Sequence, residues 1–195
     1  RDGRFFQHPI AEYPTFRGMF EDRSGAIWLT SGYGLWWWRE GQLKAMGRNE
    51  PFGHKETVNT FEDKDGNLWI GAIDAGLFCF RDGKFTAFTL KDGVPGTICG
   101  VLHEDENGAL WIGSNDGLAR YKNGTFFTLR RAQGLPDEVV MSLLEDGFGN
   151  YWMNCRRGIY RVSKEQLNAC ADGRIPSVQC VLYGVADGML SVEPN

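Results

Sequence analysis

Catalytic side chains are scarce in this sequence. Its 195 residues hold three histidines, His8, His54 and His103, spread along the chain, and no Ser or Cys stands in a nucleophile motif. The five cysteines, Cys79, Cys99, Cys155, Cys170 and Cys180, form no C-x-x-C pair and have no histidine in ligand register, so neither a metal ion nor any other cofactor is expected. They read as small buried hydrophobes, with a bridge between Cys170 and Cys180 left open. An excess of one charge is lacking too: 21 Lys and Arg against 25 Asp and Glu leave a net of −4, which argues against nucleic acid or a polybasic membrane patch. No apolar run approaches the roughly 20 residues needed to span a bilayer, and the opening "RDGRFF" does not read as an export signal. What remains is mixed charge with 42% hydrophobic and 13% aromatic residues, ample for a substantial core.

Those aromatics recur at a fixed period. Four segments align: "FEDRSGAIWLTSGYGLWWWREGQL" from Phe20, "FEDKDGNLWIGAIDAGLFCFRDGKF" from Phe61, "HEDENGALWIGSNDGLARYKNGTF" from His103 and "LEDGFGNYWMNCRRGIYRVSKEQL" from Leu144. Trp28, Trp69, Trp111 and Trp152 stand 41, 42 and 41 positions apart. Each unit reads as four short strands: one ahead of Glu-Asp, one at "LWIG", one after Gly-Leu, and one after a further turn. Four strands at this period make a β-propeller blade, so the fold class is all-β, with four consecutive blades of four antiparallel strands. Blades are expected at residues 15–55, 56–95, 96–137 and 138–188. Residues 1–14 read as the last strand of a preceding blade with its linker, and 189–195 as the start of another. A blade cannot bury its own faces and is stabilised by stacking on its neighbours. A larger ring of roughly seven or more blades is therefore the expectation, with a four-bladed ring closed by the N-terminal strand as the alternative.

Two local motifs need separate readings. "DKDGN" at residues 63–67 begins like a calcium loop, but a twelve-residue loop from Asp63 would end at Asp74 rather than at a bidentate Glu. It is better read as a tight hairpin turn. In "GLWWWREG", residues 34–41, neighbouring side chains of a strand face opposite ways, so three indoles cannot share one core. Trp36 aligns with Phe78, Ala119 and Tyr160, and Trp38 with Phe80, Tyr121 and Val162, so both read as packing residues. Trp37 aligns with Cys79, Arg120 and Arg161 and reads as the spare indole, a candidate contact with an adjoining blade, domain or subunit.

Function is expected where loops gather. In a propeller, the turns between strands two and three and the linkers from strand four to the next blade emerge on one face. There the sequence varies at Tyr33, Asp74, Asn115, Asp116, Arg156 and Arg157. Planar polar groups with an aromatic ring suit sugar hydroxyls, and solvated loop residues are the alternative. Arg156 and Arg157 could clamp an anionic group, or pair with Asp137 or Glu138. Asp74 with Asp116 is the carboxylate pair that a glycosidase would require.

The unit "EDKDGNLWIGAIDAGLFCFRDGKFTAFTLKDGVP" resembles the two-component regulator propeller repeat of bacterial membrane-bound sensor kinases. All four units share the likeness, as do the linkers "DGVP" at 92–95 and "QGLP" at 133–136. The last unit is lengthened between its third and fourth strands, since Gly134 to Gly188 is 54 positions where Gly93 to Gly134 is 41. The resemblance implies a periplasmic, ligand-sensing segment of a sensor histidine kinase or hybrid two-component protein. Its ligand would be a small molecule such as an oligosaccharide, and its partners the remaining blades and signalling domains of the parent, or a second copy in a homodimer. Phosphotransfer would lie outside these residues. A propeller enzyme, either lyase or glycosidase, and a dimerisation scaffold are the alternatives.

Overall fold

Alternating apolar residues in each repeat unit become a four-stranded meander. A computed structural model describes residues 15–46 and 51–191. The first sheet comprises β1 (Phe16–Glu21), β2 (Ile27–Ser31), β3 (Gly34–Arg39) and β4 (Gln42–Ala45). The second comprises β5 (Thr57–Glu62), β6 (Leu68–Ala72), β7 (Gly76–Arg81) and β8 (Lys84–Phe88). The third comprises β9 (Cys99–Glu104), β10 (Leu110–Ser114), β11 (Gly117–Lys122) and β12 (Thr125–Leu129). The fourth comprises β13 (Ser142–Glu145), β14 (Asn150–Cys155), β15 (Gly158–Ser163) and β16 (Val181–Tyr183). All pairings within the sheets are antiparallel, and the first strands of successive sheets approach one another, as in propeller blades. The readings of residues 1–14 and of the closing strand they were expected to supply lie outside the described residues, as do 192–195.

The recurrent Asp and Trp make one device. In the third sheet, Asp105 closes the turn between β9 and β10: its carboxylate accepts from the backbone N–H of Asn107 (2.9 Å) and Ala109 (3.0 Å) and from the indole N–H of Trp111 (3.0 Å). Asp22, Asp63 and Asp146 hold Trp28, Trp69 and Trp152 in the same way, at 2.7, 2.8 and 2.9 Å. The six-residue spacing is thus dictated by a hairpin in which the acid reaches across to the next strand. In the second and third sheets the Glu before the Asp serves the neighbouring sheet. Glu62 accepts from the backbone N–H of Arg23 (2.7 Å) and Glu104 from that of Lys64 (2.8 Å), joining consecutive turns.

Apolar clusters fill the three junctions. Trp28, Leu35, Phe52, Ile70 and Phe78 occupy the first, Trp69, Leu77, Leu102, Ile112 and Ala119 the second, and Trp111, Leu118, Met153, Tyr151 and Tyr160 the third. The outer faces of the end sheets lack such cover. Met19 is 77% exposed, whereas the residues at its place in the other sheets, Thr60, Leu102 and Leu143, are 6, 8 and 9% exposed. On the opposite end face Leu144 is 71% exposed.

Three readings change. Trp37 is inward-facing rather than spare, and its contact is with the adjoining blade: it lies opposite Trp28 in the β2–β3 register and packs on the cluster between the first two sheets, with Lys44 Nζ 5.4 Å from its ring centre. Strand alternation turns Trp36 and Trp38 to the opposite, outward face of the first sheet, where Trp36 meets Phe16 edge-on at 6.2 Å. Secondly, the lengthened hairpin contains a helix, α1 (Lys164–Ala171), capped by Ser163, whose hydroxyl accepts from the Gln166 N–H. Cys170 is buried on that helix, and all five cysteines are free thiols, so Cys170 and Cys180 are not bridged. Thirdly, Asp137 does not pair with Arg156 or Arg157. It accepts from the Glu138 and Val139 N–H groups and faces Arg131 at 3.7 Å.

Helix α1 serves as a clamp between the third and fourth sheets. Arg120 on β11, 7% exposed, donates to Asn168 Oδ1 (2.7 Å) and Asp172 Oδ1 (2.5 Å). Buried Lys164 pairs with Glu106 and Glu145. Arg120→Ala removes two charge-assisted bonds from the junction, while half-exposed Asp172 can return to water. The expected cost is about 2 kcal/mol, read by urea unfolding, and Asp172→Ala, which leaves the buried guanidinium without its counter-charge, should cost more.

Candidate functional site

The loop face is assembled by a rule visible in the backbone. Each of the first three turns between strands two and three is grasped by the linker that opens the next sheet. Asp74 N–H donates to Thr97 O (2.7 Å), Ile73 bridges Ile98, and Gly117 N–H donates to Glu138 O (2.6 Å). In the first turn Thr57 does this through its side chain, donating to Gly34 O (2.9 Å) and accepting from the Ser31 N–H (3.2 Å).

These contacts decide which candidate residues have polar groups to spare. Asn115 Oδ1 accepts from both Thr97 and Ile98 N–H groups at 3.1 Å, and its amide reaches Thr97 Oγ1 at 3.3 Å. It shapes the linker, and a Cβ on Gly96 would come within 2.4 Å of that oxygen. Asp116 is engaged by Arg130 at 3.1 Å, and Arg157 donates to Pro136 O at 3.3 Å. Asp74 is exposed on a left-handed backbone (φ 53°). Tyr33, 72% exposed, and Arg156, also exposed, stand on the turns of the first and fourth sheets.

Asp74 has the best-formed surroundings. Two neighbouring clefts meet at its turn. One, of about 460 Å³, is lined by Asp74, Ala75, Thr89, Leu90, Lys91 and Thr97. The other, of about 520 Å³, is lined by Phe52, His54, Lys55, Asp74, Phe78 and Thr89. Both lie within the range of small-molecule sites. Asp116 and Asp74 do not line either cleft together, so the carboxylate pair required of a glycosidase is not assembled there. Sequence reasoning missed His54, Thr89 and Lys91. All three stand in or beside linkers leading from one blade to the next, a class of loop assigned to this face, but residues were chosen only from the shorter turns.

Electrostatically the two clefts set one carboxylate against Lys55 and Lys91, with His54 beside them, so the lining is polar with a small excess of positive charge. No cluster of three or more His, Cys, Asp or Glu side chains able to hold a metal ion occurs among the described residues.

The strand order, the blade stacking and this loop face define a segment of a β-propeller. Among solved structures, the extracellular domain of BT3049 from B. thetaiotaomicron, described as a hybrid two component system, superposes with a TM-score of 0.79 at 17% identity, over 95% of this chain and 25% of that one. The corresponding domain of BT4673 gives 0.65 at 18% identity, over 87% and 24%. Virginiamycin B lyase from Staphylococcus aureus gives 0.64 at 15% identity, over 87% and 56%. At these identities the likeness is one of fold. The chain spans about a quarter of the length of the two-component extracellular domains it matches. No family model matches the chain, and no curated protein matches it.

Proposed function

We propose that this segment is a ligand-sensing part of an extracytoplasmic two-component sensor propeller, taking a small polar ligand, a carbohydrate foremost, at the turn of Asp74. The observation that carries this reading is the pair of clefts meeting at Asp74, built from linkers held by backbone and Asn115 bonds. The fold shared with extracellular domains of hybrid two-component systems supports it. Asp74 and Lys91 offer hydrogen bonds to hydroxyls, and Leu90, 58% exposed, offers an apolar contact. A ligand would act by binding two arrangements of the parent sensor with different affinity. A thermal-shift screen of this chain with oligosaccharides tests the reading. A ligand at about 100 times its dissociation constant should add roughly 2.7 kcal/mol. Asp74→Ala should remove the shift and Arg156→Ala should leave it. No shift with any oligosaccharide, or an unchanged shift in Asp74→Ala, counts against the site.

One observation favours an enzyme as the second reading: His54 and Asp74 line one cleft, which places an acid and an imidazole on a common wall. It predicts ligand turnover that His54→Ala abolishes while binding persists.

A further inference from the structure

The end of the blades opposite the loop face carries a groove at the second junction, walled by aromatic rings. The residue fourth along the third strand faces the next sheet, and it differs at each junction. In the first it is Trp37, packed on the interblade cluster with Lys44 over its ring. In the third it is Arg120, with Asn168 and Asp172 closing over it. In the second it is Cys79, whose small side chain leaves a groove of about 370 Å³. Its apolar wall is Trp69, Phe88 and Tyr121, which pack together with ring centres 5.2 to 5.7 Å apart. Its polar rim includes Glu104 and Lys122.

The chemistry of this lining narrows the ligand. Asp63 is committed to its hairpin, accepting from the Asn67 amide and the Trp69 indole. With Asp63, whose charge those neutral donors leave in place, Asp65 and Glu104 stand against Arg81 and Lys122, so the lining carries one net negative charge and repels anions. An aromatic wall facing a polar rim of mixed charge fits a neutral ring that is apolar on its face and hydroxylated at its edge. Cys79 itself takes no part as a nucleophile, since burial, the largest effect, pushes its thiol up to about 11.

We infer that the groove at Cys79 is a second binding site, for one pyranose-sized neutral sugar ring, independent of the clefts at Asp74. The test is ligand-observed NMR with isothermal calorimetry on this chain, using methyl β-glucopyranoside, methyl α-mannopyranoside and cellobiose as probes. Saturable binding of at least one probe is expected, weakened by about ten-fold or more in Cys79→Trp, which restores the residue of the first junction, and unchanged in Asp74→Ala. If Cys79→Trp does not fold by circular dichroism, Cys79→Leu, a smaller filler, is read the same way. Equal binding by wild type and the filled variant, or no saturable binding up to roughly 50 mM, overturns the proposal. Binding lost in Asp74→Ala but kept in Cys79→Trp also overturns it, while leaving the sensing cleft standing.

Discussion

Asp105→Ala is expected to lower the stability of the chain by about 3 to 5 kcal/mol, because it strands three donors at once. Asp105 is 1% exposed and Trp111 is fully buried, so neither the indole N–H nor the Ala109 N–H can turn to water when the carboxylate goes. For a chain of this size, that cost corresponds to a fall in melting temperature of about 10 °C. Asp22→Ala should cost less, since Asp22 is half-buried and its turn is partly open to solvent. Acid should unfold the wild type by the same route. Burial pushes the Asp105 carboxyl up, but the bonds from Trp111, Ala109 and Asn107 outweigh it and hold the group below the usual carboxylate range. A depressed folded value means that the stabilisation is complete above the unfolded value near 4 and disappears as pH falls through the folded one. Asp22 and Asp146 are shifted in the same direction by bonds of the same kind. Chemical denaturation from pH 7 to pH 3 should therefore show a steeper loss in the wild type than in Asp105→Asn. Equal slopes, or a loss under 1 kcal/mol in Asp105→Ala, would show that the hairpin lock is dispensable.

The lock is half legible in the sequence. Asp followed six positions later by Trp in every unit gives the period, and the period gives the blade. The bond between the two residues is not legible there, because packing alone accounts equally well for an indole at a recurrent strand position. Trp37 shows how a repeat can mislead. Arg120 and Arg161 at its aligned positions look like a sign of exposure, yet Arg120 is buried, its charge met by Asp172 beyond α1. A partner 52 residues away lies outside any repeat comparison. Helix α1 had a local signal, Ser163 before Lys-Glu-Gln, but eight residues inside a hairpin insertion are too few for periodicity to declare them. At the loop face the sequence locates the turns and not their partners. The engagement of Asn115, Asp116 and Arg157, and the meeting of His54 with Asp74, depend on linkers from neighbouring blades.

Gly71→Ala should be among the most damaging single methyl additions in the described residues. Gly71 stands in β6 with ordinary extended backbone, so the requirement is space and not conformational freedom. A Cβ there would lie 1.8 Å from the carbonyl oxygen of Cys99 and 3.0 Å from its carbon. That obstacle is backbone at the start of β9, which no rotamer change can clear. Gly113, at the same place in the third sheet, meets the side chains of Val101 and Val140 at 2.8 and 2.9 Å, which can give way. The expected loss is at least about 3 kcal/mol for Gly71→Ala and about 1 to 2 for Gly113→Ala. Gly83→Ala, in open space at φ 77°, should cost about 1 kcal/mol through backbone strain alone. Urea unfolding of the three variants checks this order, and a Gly71→Ala loss no larger than that of Gly83→Ala would refute the close approach. The consequence reaches function. Thr97 and Ile98, which receive Asp74 and Asn115, immediately precede Cys99, so a shift of that strand start deforms the cleft. A Gly71→Ala protein that still folds should therefore lose the ligand-induced thermal shift, although Gly71 lines neither cleft at Asp74.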